Sequence, residues 1–129
     1  MKKLAVLVMA GLMSVTASAT NWLLIHKSSE LTRYIDVDSI SDSGKYKTFF
    51  IRNIYETPYL AAPYALVDQT LSFSRFDCKS NPKKFQVLSV VSYNDNKVVR
   101  STGYDENGEW YVVYPGTIAE TQAIIVCAR

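Results

Sequence analysis

From Trp22 onward, apolar side chains come in short runs rich in β-branched and aromatic residues, separated by clusters of turn-forming residues. The runs are "WLLIHK" (Trp22 to Lys27), "TRYIDV", "KYKTFFIRNIYE" (Lys45 to Glu56), "VDQTLSFSRFDC" (Val67 to Cys78), "KFQVLSVVSY" and "KVVRSTGY". Side chains of this kind fit a pleated surface and predict strands. The separators "SDSG", "TPYLAAP", "KSNPK" and "NDN" predict turns. Alternation is imperfect, and several runs carry apolar residues on both faces. Either both faces of the sheet are covered, or the helix covers one and a second molecule the other. The pattern changes at "PGTIAETQAIIVCAR": Pro115 and Gly116 break the preceding strand, and Thr117 and Glu120 stand at capping-box spacing. A helix from Ile118 to about Cys127 follows, apolar around most of its circumference, and too short to persist without tertiary packing. The expected fold is α+β, a mostly antiparallel sheet of about six strands carrying a C-terminal helix.

The first 19 residues, "MKKLAVLVMAGLMSVTASA", have another character. Lys2 and Lys3 precede an apolar run from Leu4 to Met13, with small residues at Ala17 and Ala19, the layout of a secretory signal peptide cleaved after Ala19. The run is short for a membrane span, which takes roughly 20 residues. No cysteine near the cut offers a site for a lipid anchor. Residues 20–129 are therefore expected to form one exported, soluble domain, periplasmic or extracellular. Loss of Lys2 and Lys3 leaves 12 of the 14 basic residues against 12 acidic ones. That balance removes the basic field that would attract nucleic acid.

Export to an oxidising compartment gives the cysteines a role. Cys78 and Cys127 are the only two, and an even count in an exported chain predicts a disulfide. They are too far apart for a C-x-x-C redox site, and with His26 the only histidine, a cysteine-based metal site lacks ligands. A bridge would tie the last helical turn to the sheet.

Several ordered pieces also carry a family likeness. "YIDVDSI" (Tyr34 to Ile40), a cysteine ending a central strand at Cys78, "VVSYNDNKVVRSTG", Trp110, "PGT" and a helix ending in "IIVCA" together resemble the surface-adhesin protein E family. The resemblance spans nearly the whole chain after residue 19. It implies an antiparallel sheet of about six strands with a C-terminal helix, a disulfide at these two cysteine positions, and a homodimer. The family's best-known member is a dimeric adhesin for host matrix proteins, and the resemblance does not by itself carry that ligand across. That member is lipid-anchored, and here the signal segment offers no lipid site.

Catalytic chemistry finds little support. General acid-base work usually needs a histidine or paired carboxylates in a cleft; His26 lies in an apolar strand. Asp36 and Asp38 are expected to end a strand and accept backbone N–H bonds in a turn. "YDENGE" (Tyr104 to Glu109) lacks the ligand spacing of a calcium loop and is expected to be a solvated hairpin loop. No G-x-S-x-G elbow frames a serine. No enzyme, cofactor or metal is expected.

The better candidate for contact is "YETPYLAAPYAL" (Tyr55 to Leu66), where Pro58 and Pro63 are expected to stiffen a loop and deny it strand pairing. Tyr55, Tyr59 and Tyr64 offer the amphipathic surface enriched at binding hot spots. The alternative is that these rings fold back onto the sheet. Lys79, Lys83 and Lys84 form a small basic cluster, a solvated turn that would also favour an acidic partner. The chain thus reads as an exported, non-catalytic binding protein resembling surface-adhesin protein E, with a protein partner. The competing reading is a soluble periplasmic protein with a structural or envelope-related role and no host ligand.

Overall fold

The computed structural model describes residues 21–61 and 65–129. Residues 1–20, with the expected signal peptide, and Tyr64 lie outside the described residues. The strands are β1 (Trp22–Lys27), β2 (Leu31–Ser43), β3 (Tyr46–Ala61), β4 (Ala65–Asp77), β5 (Lys84–Asn94), β6 (Lys97–Ser101) and β7 (Trp110–Val112), followed by helix α1 (Ile118–Cys127). The first six follow one another in an antiparallel meander, and β7 pairs with β5. Because β4 occupies one side of β5, β6 and β7 share the other, pairing with residues 91–94 and 84–86 respectively.

One more strand forms than the pattern predicts. β7 has only three residues, too few to show a period of two. Its place is held by Trp110, which packs on Tyr46 (ring centroids 5.1 Å) and under the Arg75 guanidinium (5.2 Å). The "YDENGE" segment is therefore not a hairpin loop; it crosses between two strands on the same sheet edge. Gln86, fully buried, pins it by donating from Nε2 to the carbonyls of Glu106 (3.0 Å) and Gly108 (2.7 Å). Gln86 Oε1 in turn accepts from Arg75 Nε at 2.8 Å.

β2 also outruns its predicted end. Ser43 pairs with Tyr46, so the turn shrinks to Gly44 and Lys45, with Gly44 at φ +66°, a region costly for residues with a Cβ. The irregularity falls instead between Asp36 and Ser41, where the register with β3 shifts. Side chains there replace ladder bonds: Asp36 Oδ1 accepts from the backbone N–H groups of Asn21 (3.2 Å) and Asp38 (3.1 Å), and Ser39 Oγ accepts from Phe50 N (3.0 Å). Asp36 thus accepts backbone bonds as expected, but at a bulge inside a strand and not at a strand end. The β5–β6 hairpin turns on Asp95 (φ +53°) and Asn96 (φ +63°), the pair of left-handed residues a two-residue turn requires.

Helix α1 lies across one face of β1 to β4. Ala123 and Val126 meet Ile35, Phe49, Ile51 and Phe76 in the buried core, flanked by Ile25, Val37, Phe85 and Val113. By strand alternation the opposite face carries Phe50 and Phe73, which pair across the sheet at 4.7 Å and remain half-buried. The Cys78–Cys127 disulfide joins the end of β4 to the last turn of α1.

The helix start departs from a reciprocal capping box. Thr117 Oγ1 accepts from Glu120 N at 3.3 Å, while Glu120 Oε1 reaches one residue further back and accepts from Gly116 N at 3.1 Å. Gly116 sits at φ +78°, which turns its N–H toward the first helical turn. Thr117→Ala is expected to cost about 1 kcal/mol, the usual worth of an N-cap acceptor. A urea titration checks it, and an unchanged midpoint would mean that the Thr117 hydroxyl is dispensable.

Candidate functional site

At one end of the sheet β3 and β4 run on together past the start of β2, and this extension forms an arm. β2 begins at Leu31, opposite Tyr55, and the last contact from the β5–β6 turn is Asp95 N donating to Asp68 Oδ2 at 2.9 Å. Beyond these points Tyr59, Leu60 and Ala61 pair only with Val67, Leu66 and Ala65. The expectation that prolines would deny this stretch strand pairing is therefore corrected for Pro58. It sits in the register shift between Ile54 and Tyr59, past the end of β2, where a missing N–H breaks no ladder bond. Pro63 lies outside the described residues.

Tyr55 is half-buried at the root of the arm and Tyr59 is 40% exposed. Their rings meet edge-on at 4.8 Å. Burial, together with the charge and hydrogen bond of Tyr55, pushes the Tyr59 phenol above its usual range, against the opposing pull of Arg100. Leu60 and Leu66, at the tip, are 64% and 50% exposed. The arm therefore presents aliphatic area outward, with the two aromatic rings behind it.

On the helix side of the sheet, the arm's root walls a groove of about 340 Å³ whose lining includes Arg33, Asn53, Tyr55, Tyr59, Thr70, Ser72, Val87, Val90 and Gln122. Four of these form a polar chain. Arg33 donates from Nε to Asn53 Oδ1 (2.6 Å) and from Nη1 to Gln122 Oε1 (3.0 Å), and Asn53 Nδ2 donates to Thr70 Oγ1 (3.2 Å). Asn53, Thr70 and Gln122 are buried. Burial drives the Arg33 guanidinium below its ordinary pKa, with proximity to Tyr55 opposing.

This groove has a signature that sequence reasoning missed. Arg33 stands in phase with Ile35, Asn53 with Ile51 and Phe49, and Thr70, Ser72 and Ser74 with Phe76, all on the face that packs against the helix. Polar residues at inward positions of apolar strands mark either a buried network or a site. His26, by contrast, is half-buried on β1 opposite Arg33. Asp38 is exposed, Asp36 is committed to the β2 bulge, and Lys79, Lys83 and Lys84 are exposed. Among the described residues no three His, Cys, Asp or Glu side chains are grouped to hold a metal ion.

These features define a small, disulfide-stapled antiparallel domain with a polar groove beside an exposed aliphatic hairpin end. The chain belongs to the surface-adhesin protein E family, whose model matches residues 22–128. No curated protein and no solved structure matches it. Among the described residues no helix is long and apolar enough to cross a membrane.

Proposed function

We propose that this is an exported, non-catalytic binding protein that contacts a protein partner through the β3–β4 arm. The observation that carries the reading is the exposure of Leu60 and Leu66 (64% and 50%) at the end of the β3–β4 hairpin, where among the described residues no third strand pairs with them. Aliphatic side chains ordered by strand pairing need little further ordering on association, which reduces a main cost of binding. Membership of a surface-adhesin family supports an adhesive role and makes host matrix proteins the first partners to test. In this reading residues 1–19 direct export and residues 20–129 form the working domain. A homodimer formed over the open sheet face would cover Phe50 and Phe73, and light scattering would report it.

The test is surface plasmon resonance against immobilised matrix proteins, with wild type beside a Leu60→Ala, Leu66→Ala double variant. The expected loss is at least about fivefold in affinity, the roughly 1 kcal/mol that marks a contributing interface residue, with the unfolding midpoint nearly unchanged. Retained affinity would place the contact elsewhere on the surface. Absence of any matrix binding, with protein released only by osmotic shock, would favour a periplasmic envelope role.

A further inference from the structure

The groove at the root of the arm holds a charge that the fold does not match. Arg33 is partly buried between β2, β3 and α1, yet its two protein acceptors, Asn53 Oδ1 and Gln122 Oε1, are neutral amide oxygens. No ion pair joins Arg33 to a described carboxylate. A guanidinium carries five N–H donors, and no described protein atom accepts from Nη2. Holding a cation out of water without a counter-charge costs stability. The fold keeps it beside a cavity open to solvent.

We propose that this groove is a binding site for a small organic carboxylate with an apolar tail, with Arg33 as the residue that receives the carboxylate. The planar fork of arginine matches the two oxygens of a carboxylate, and such a ligand would complete the interactions that the neutral amides leave unmade. Tyr55 and Tyr59 border the same groove and can donate hydroxyl hydrogen bonds to an anion. Val87 and Val90 supply the apolar wall for a tail, and about 340 Å³ suits a small molecule. A single partly buried cation held by neutral amide oxygens fits one negative charge better than the two of a phosphate. The site stands apart from the protein contact proposed above, which reads the arm's tip.

The experiment is an NMR titration of the disulfide-bonded, nitrogen-15-labelled protein with octanoate, 1-octanol and inorganic phosphate as separate probes. The proposal expects saturable shifts of the Asn53 and Gln122 side-chain amides with octanoate. It expects binding of 1-octanol at least about tenfold weaker, the scale of one charge-assisted hydrogen bond. Arg33→Gln should lose octanoate binding by a similar factor, with circular dichroism reporting that the variant is folded. If that variant unfolds, Ser72→Glu gives an independent reading: it adds a carboxylate to the groove outside the Arg33 chain and should repel octanoate equally. Equal binding of octanoate and octanol would overturn the proposal, as would phosphate binding as tightly as octanoate. So would undiminished octanoate binding by Ser72→Glu.

Discussion

Replacing Cys78 and Cys127 together with serine is expected to lower the free energy of unfolding by about 4 kcal/mol, within a range of about 2 to 5. The bridge spans a sequence separation of 49 residues, and opening it restores to the denatured chain the entropy of a loop of about that length. A domain of this size is typically stable by only about 5 to 15 kcal/mol, so the loss would take much of the margin. The folded state suffers as well. Helix α1 has ten residues, marginal alone, and it brings Ala123 and Val126 to the core. Equilibrium urea denaturation of wild type and the double-serine variant measures the difference. Coincident curves would show that packing alone holds the helix.

The second large effect is expected at Phe76. Its ring is fully buried, stacks on Phe49 at 5.1 Å and meets Phe85 at 5.8 Å. It lies two residues before Cys78, beneath the point where α1 is tied to the sheet. Phe76→Ala should cost about 3 to 5 kcal/mol, combining lost transfer energy with the cavity left between rigid neighbours. Phe73→Ala, on the half-buried opposite face, serves as the control and should cost clearly less. Equal losses at the two positions would mean that the open face is covered in solution, which light scattering on the same samples would detect as a second copy.

The fold and the site differ in how much of each the chain's local pattern carries. β1 and α1 were legible almost to the residue, because "WLLIHK" and "IAETQAIIVC" are bounded by strong local signals and their neighbours do not extend them. The ends of β2 and β3 were not. Asp36 and Ser39 substitute side-chain atoms for ladder bonds, so a strand continues through a segment that reads as a turn. Pro58 is tolerated in β3 only because β2 stops short of it. A proline's effect on pairing depends on what lies beside it.

Six of the seven strands, the capped C-terminal helix and the pairing of the two cysteines are legible in the chain alone. Each rests on interactions between residues near in the chain, or on a count that leaves one partner. That β7 shares an edge with β6, that the β3–β4 arm runs past β2, and that a groove opens at its root emerge only in three dimensions. Arg33 reaches Gln122 across 89 residues of sequence, and Asn53 and Thr70 meet it from two other strands. No local pattern encodes that meeting. It follows from strand lengths and register summed over the whole sheet, which set where the helix ends its cover and where polar side chains lie beside solvent.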